Sequence, residues 1–396
     1  MVLQPTTHCN LDCSYCYLPH RLRRDAMSDE VVRAVAAAVE PWTRGPAPLD
    51  IVWHGGEPTA VGVDRLDALM AAFDGLRVRH GIQTNATLLD PAWCALFRRR
   101  DVRVGVSLDG RATDNAARVN LAGRPSWAAT MRGIGHLVDA GVGYHALAVV
   151  ADPDPGAAAD VYAFFAGLPG CRAMGFSIVE QEGVRTAPVG VSRERARAWW
   201  RAVTHAWLAD RSVRVRELDL ALTYAGSVRD RRAGGTEPGS NLDPGDGGPG
   251  GAPPDRRGDA EAGAVAPRGG PGWTPGGPDP LPTVAHDGSV VLFSPELAGF
   301  SCDRYGDFSA GNVTHRPLPE IVADALASPT RWEADLRRGV AACRATCGYF
   351  DFCGGGTASN RWFELGDLTA TETAHCRTTR KALLDGVLAA AADLRG

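Results

Sequence analysis

The chain has 396 residues, enough for two or three domains, and 44% of them are hydrophobic, the share of an ordinary globular protein with a real core. The net charge of −4, with acidic and basic residues interspersed, argues against a general nucleic-acid binder. No apolar run approaches the ~18 residues of a membrane helix, and no charged-then-apolar start marks a secretory signal, so the sequence reads as cytoplasmic, with neither nucleic acid nor membrane as partner.

The first 210 or so residues alternate short apolar runs with amphipathic ones. Strands are expected at 2–4, 50–53, 78–83, 102–108, 143–150 and 173–179, with helices at 29–41, 64–73, 91–99, 127–140, 156–166 and 193–210. Such alternation implies parallel β/α units, and six of them make a partial (β/α)6 barrel of the TIM-like kind. The fold class is therefore α/β, and the chemistry is expected at the C-terminal ends of the strands.

From Gly234 to Pro282, 26 of 49 residues are Gly or Pro, a composition that buries too little apolar surface to offset its ordering entropy. Beyond it a hairpin is expected over 283–293, turning at Asp287-Gly288, and helices at 318–327 and 377–394. The expected organisation is a barrel over 1–228, a Gly/Pro-rich flexible insertion over 229–282, and a C-terminal domain over 283–396.

Seven of the ten cysteines fall in two tight groups. In a reducing compartment, clustered cysteines are more often metal ligands than disulfides. Cys94 and Cys171 stand alone and read as small buried hydrophobes. The first group is Cys9-Asn10-Leu11-Asp12-Cys13-Ser14-Tyr15-Cys16-Tyr17, directly after the first strand. Three thiolates are an awkward set for structural zinc, which takes four, but suit a four-iron, four-sulfur cluster with one iron left open.

This C-x3-C-x2-C loop resembles the signature of the radical S-adenosylmethionine (SAM) superfamily. Three companions stand at later strand ends: Gly55-Gly56-Glu57-Pro58, Gln83-Thr84-Asn85 and Ser107-Leu108-Asp109-Gly110, resembling the family's GGEP, QTN and SLDG motifs. The resemblance implies that the open iron chelates the amino and carboxylate groups of SAM. Reductive cleavage then yields a deoxyadenosyl radical that abstracts hydrogen from substrate. An external donor such as ferredoxin or flavodoxin is implied. Tyr17, Gly55, Gly56, Glu57, Pro58, Gln83, Asn85, Ser107 and Asp109 become expected cofactor residues. Glu57 offers a negative partner to the ammonium and Ser107 a bond to ribose or carboxylate. Arg118 is the expected carboxylate partner, with a solvated surface charge as the alternative. Val149, ending the fifth strand, either packs on the adenine or is plain core.

The second group, Cys343, Cys347, Cys353 and Cys376 with a Gly354-Gly355-Gly356 turn, resembles an auxiliary-cluster domain of the SPASM type. Four thiolates close one auxiliary four-iron cluster, structural zinc being the competing reading. Fuller versions of the domain carry seven cysteines, so one auxiliary cluster is expected, with Cys302 a bystander.

Stretches outside the ligands resemble the GrrM/OscB-type cyclophane-forming peptide maturases: Val2-Leu3-Gln4-Pro5-Thr6-Thr7, Phe293-Ser294-Pro295-Glu296-Leu297, Tyr305-Gly306-Asp307-Phe308, Gly311-Asn312-Val313, Ser359-Asn360-Arg361 and Thr371-Glu372-Thr373. The resemblance implies a ribosomal precursor peptide as substrate. The product is a bond from an aromatic ring carbon to the Cβ two residues on. Glu296, in an apolar setting, is the expected base, or else a structural carboxylate. The alternatives are a thioether-forming or sulfatase-type maturase, and a non-catalytic iron–sulfur redox protein. Met1 stands almost at the first strand, so no N-terminal leader-binding module is expected.

Overall fold

The computed structural model describes residues 1–184, 190–232 and 280–394, the side chains of 230–232 excepted. Most of the expected insertion, including the span 233–279, lies outside the described residues. Parallel strands run in chain order: β1 (Val2–Leu3), β2 (Leu49–Trp53), β3 (Val78–Thr84), β4 (Arg103–Ser107), β5 (Tyr144–Val150) and β6 (Cys171–Ile178). Helices α1 (Asp29–Val39), α2 (Val63–Ala71), α3 (Pro91–Arg99), α4 (Trp127–Asp139) and α5 (Ala158–Ala166) connect them. The protein is an α/β partial barrel with six β/α units in sequence.

Local chemistry sets the element boundaries. Ser28 caps α1 by accepting from the Val31 N–H, with Asp29 and Glu30 in the first turn. Asp90 caps α3 ahead of Pro91, whose fixed φ suits a first helical position. β5 alternates buried and half-buried residues along its length, one face on the core.

The structure adds elements that the periodicity did not show. After α6 (Arg193–Asp210) comes β7 (Arg214–Val215), pairing with β6, and then α7 (Arg216–Arg232). On the other edge, β8 (Thr283–Val284) runs parallel to β1, and the antiparallel β9 (Ser289–Val291) and β10 (Gly311–Asn312) follow. One sheet thus carries the order β10-β9-β8-β1-β2-β3-β4-β5-β6-β7. The expected hairpin extends the barrel's own sheet.

The remaining helices are α8 (Leu318–Ala327), α9 (Arg331–Thr346), α10 (Phe350–Cys353), α11 (Ala358–Leu365) and α12 (Ala382–Asp393), with a π-helical turn at Cys376–Lys381 before α12. Helix α12 and the π-helical turn before it dock on α6: Trp200 Nε1 donates to Thr378 O of the turn at 3.2 Å, and Arg201 pairs with Asp393 of α12 at 2.7 Å. That contact fixes the second cysteine group against the barrel. Among the described residues no helix is long and apolar enough to cross a membrane.

Candidate active site

The cysteine loop leaves β1 and folds back on the barrel mouth. Cys9 N donates to Arg21 O at 2.8 Å, Asp12 N to Val119 O at 2.8 Å, and Ser14 N to Ala117 O at 3.1 Å. Cys9, Cys13 and Cys16 are half-buried free thiols near one another. Burial pushes the Cys9 thiol up to about 12 and Cys13 to about 11, and raises Cys16 in the same direction. Three buried thiols that resist ionisation are a poor nucleophile set. Three thiols gathered on one loop, with the Arg21 and Arg118 guanidiniums near them, are a donor set that fits a cluster. No group of three His, Cys, Asp or Glu side chains among the described residues is placed to hold a single metal ion. A cluster takes one thiolate per iron and so spreads its ligands more widely than one tetrahedral ion does.

Gly55 and Gly56 follow β2 and press against this loop. A Cβ on Gly56 would lie 2.4 Å from the His8 carbonyl oxygen, and its φ of +58° is in the left-handed region, so glycine is required there. Glu57 N donates to the same His8 oxygen at 2.8 Å. The Glu57 side chain, 1% exposed, accepts from Thr59 N at 3.1 Å, Thr59 Oγ1 at 2.6 Å, Thr84 Oγ1 at 2.6 Å and Asn85 N at 2.7 Å. Its carboxylate is thus spent on binding the second strand end to the third. Pro58 opens a single 3-10 turn, Pro58–Val61.

Asn85 Nδ2 donates to Asn10 Oδ1 at 2.9 Å, anchoring the loop from β3. Gln83 Nε2 donates to Ser107 Oγ at 2.8 Å, joining the ends of β3 and β4. Asp109, just beyond β4, accepts from Arg118 Nη2 at 2.9 Å, Val149 N at 2.9 Å and Tyr15 Oη at 2.5 Å. Arg118 is 8% exposed and lies 5.3 Å from the centre of the Tyr15 ring. Burial works against its charge, but Asp109 outweighs that and holds the guanidinium firmly protonated. Its Nε is buried with no partner, a donor left for a ligand. Replacing Asp109 with Ala strands the Arg118 cation in a buried site and is expected to cost about 3–5 kcal/mol, read as a lower urea midpoint.

Sequence reasoning named Glu296 but missed the carboxylates that surround it. Glu180 and Glu182 follow β6, at a strand end where barrel chemistry sits. Glu296 lies in the 3-10 turn Pro295–Leu297, which is fixed from behind: Ser294 Oγ accepts from Ala358 N and Ser359 N, each at 3.2 Å. Glu180 accepts from Asn360 Nδ2 at 2.7 Å and lies 3.0 Å from His375 Nδ1. Burial opposes its ionisation, but His375 holds it below the usual carboxylate range. Burial and the neighbouring Glu296 push Glu182 up to about 9. Burial, opposed by backbone hydrogen bonding and added to by Glu180, leaves Glu296 at about 7. Tyr17, next to Cys16, feels the charges of Glu296 and Glu182, and its Oη is 3.3 Å from His54 Nε2. The cysteine loop, the segment after β6 and the C-terminal segment thus meet at one place. Gly183 closes the junction, since a Cβ there would lie 1.9 Å from the Tyr17 carbonyl oxygen.

Residues 3–153 match the family model of the Radical SAM superfamily. The matched segment is similar to radical SAM domains and carries the cysteine loop and the three strand-end motifs. The chain as a whole is 29% identical to an uncharacterized protein of Synechocystis sp., over 98% of this chain and 91% of that one. It is 35% identical to the serine-type anaerobic sulfatase-maturating enzyme of Klebsiella aerogenes over 186 residues, 44% of this chain and 45% of that enzyme. Among solved structures, anSMEcpe with bound AdoMet superposes with a TM-score of 0.69 at 17% identity, over 99% of this chain and 97% of that one. Streptococcus suis SuiB bound to precursor peptide SuiA gives 0.61 at 15%, over 95% and 75%. At such identities the likeness is one of fold. The chain is similar to proteins of the Radical SAM superfamily, sulfatase-maturating enzymes among them.

Proposed function

We propose that this radical SAM enzyme matures a ribosomally made precursor peptide by joining an aromatic ring carbon to the Cβ of the residue two positions later, a three-residue cyclophane. The observation that carries the reading is Glu296, a carboxylate raised to about 7 beside Tyr17 and the cysteine loop. Such a crosslink removes one hydrogen atom from Cβ, then one electron and one ring proton. The proton needs a base tuned near neutrality, and Glu296 is so tuned. The fold shared with SuiB bound to its precursor peptide, and with anSMEcpe bound to a Cp18Cys peptide, supports a peptide substrate.

Each residue set has its part. Cys9, Cys13 and Cys16 hold a four-iron cluster, and Cys343, Cys347, Cys353 and Cys376 an auxiliary one. When bound, these groups and SAM supply hydrogen-atom abstraction and take up the surplus electron. Gly55, Gly56 and Pro58 shape the cofactor loop, Glu57 and Asn85 hold it to β3, and Gln83 orients Ser107. Arg118, held by Asp109, offers its free Nε to the cofactor carboxylate, with Val149 and Tyr17 closing the sides. The barrel is read as 1–228 and the auxiliary-cluster domain as 283–396, the first strands of the latter continuing the barrel's sheet beside β1. Docking of α12 on α6 keeps the two together.

The identity to the Klebsiella enzyme favours a second reading, oxidation of a Ser or Cys side chain. Anaerobic turnover of two synthetic peptides separates them: one with repeated triplets opening on an aromatic and closing on a polar residue, one with a sulfatase-type Ser or Cys. The first peptide is expected to lose two hydrogens per triplet and stay inert to a hydrazide. Aldehyde formation on the second peptide alone contradicts the proposal.

A further inference from the structure

A buried guanidinium needs a counter-charge, and Arg361 makes no ion pair among the described residues. It lies in α11, 2% exposed. Nε donates to Ala370 O at 2.6 Å, and Nη2 donates to Gly355 O and to Cys343 Sγ, the latter at 3.3 Å. Nη1 is buried without a partner. Among the described residues no ion pair neutralises the side chain. Asp367, the carboxylate that senses its charge, accepts from Thr369 instead. An unpaired cation at this depth costs several kcal/mol.

The missing negative charge stands beside it. Cys343, Cys347, Cys353 and Cys376 line one cavity, together with Arg361, Arg380 and Lys381, whereas Cys302 is not on its wall. Arg380 Nε is likewise buried without a partner, and Lys381 is balanced by Glu372 at 3.1 Å. The N-terminal group is built otherwise. Its nearby guanidiniums, Arg21 and Arg118, are neutralised by Asp12 and Asp109, and among the described residues Cys9 Sγ accepts from neutral donors, the N–H of Leu11 and the amide of Asn85.

We propose that Arg361 is a positioning residue for electron transfer: its unneutralised cation and its charge-assisted N–H···S bond to Cys343 raise the reduction potential of the auxiliary centre above that of the N-terminal one. The inference rests on the reading of the four C-terminal cysteines as cluster ligands. Adding an electron to a thiolate-bound centre adds negative charge, and a fixed cation in a low-dielectric site stabilises that form more than the oxidised one. The centre thereby becomes the acceptor of the single electron released when ring and Cβ are joined, while the proton goes to a carboxylate.

The test uses the full chain with Cys9, Cys13 and Cys16 replaced by Ala, so that the auxiliary centre is the sole iron–sulfur group. Reconstituted protein is expected to hold about four irons. Its midpoint potential, followed by EPR in a redox titration, is expected to fall in Arg361→Met by about 59 mV, a tenfold change in the one-electron equilibrium. Retained iron with an unchanged potential overturns the proposal. A background protein without iron overturns it differently, by removing the cluster reading beneath it. Should the Met variant shed its iron, Arg361→Lys is titrated in its place; a smaller fall supports the assignment and no fall defeats it.

Discussion

Cys16→Ala is expected to abolish reductive cleavage of S-adenosylmethionine while leaving the C-terminal cluster in place. Wild-type protein should carry about eight irons and the variant about four. The loss is large because the loop offers three thiols and no fourth: Asn10 and Asn85 are committed to each other, and His8 holds the Gly56–Glu57 backbone through its carbonyl. The C-terminal group is unaffected because its four cysteines line a separate cavity in another part of the chain. 5′-Deoxyadenosine formation that survived the substitution would contradict the assignment of this loop.

Glu296→Gln should split cofactor chemistry from product. Cleavage of S-adenosylmethionine continues, while the crosslinking rate falls by about 10²–10⁴, the range for removing a general base. The pH profile follows from burial, which holds this carboxyl near 7 in place of an ordinary value near 4.5. A base works only when deprotonated, so the wild-type rate should rise with pH and level off above about 7. The glutamine variant should lose that limb. Glu182 is held higher still, at about 9. Both carboxyls bind protons more tightly folded than unfolded, so their linkage favours the fold at low pH. Its contribution is lost as pH rises from about 4.5 through 7 and 9. Equal pH profiles for wild type and Glu296→Gln would remove Glu296 from the proton step.

The sequence showed the barrel because each strand–helix unit carries its own signal: an apolar run, then an amphipathic one with a cap such as Ser28 or Asp90. It did not show β7, a two-residue Arg214–Val215 strand too short to carry a pattern, or β10, whose Gly311-Asn312 has no strand-like pattern. Helix α9 carries a start signal in its sequence, the capping box of Thr330 and Glu333, ahead of the first cysteine of the second group. The motif residues were legible as a set, yet not their bonds. Glu57 reads as a cofactor partner in sequence, but in the fold it spends its oxygens on Thr59, Thr84 and Asn85. Arg118 reads as a carboxylate clamp, and the fold commits one side of it to Asp109. The acidic junction was hidden because it joins residues far apart in the chain: Asn360 reaches Glu180 across 180 positions. Only the place of Glu180 and Glu182 after β6 hinted at it.

The most direct measurement is tandem mass spectrometry of a candidate precursor peptide co-expressed with this protein. The account predicts a mass lower by two hydrogens per crosslink, free thiols still open to alkylation, and no backbone fragments between the aromatic residue and the residue two positions later, because the ring-to-Cβ bond holds that stretch together. Ordinary fragmentation across that stretch, or a bridge through sulfur, would contradict it.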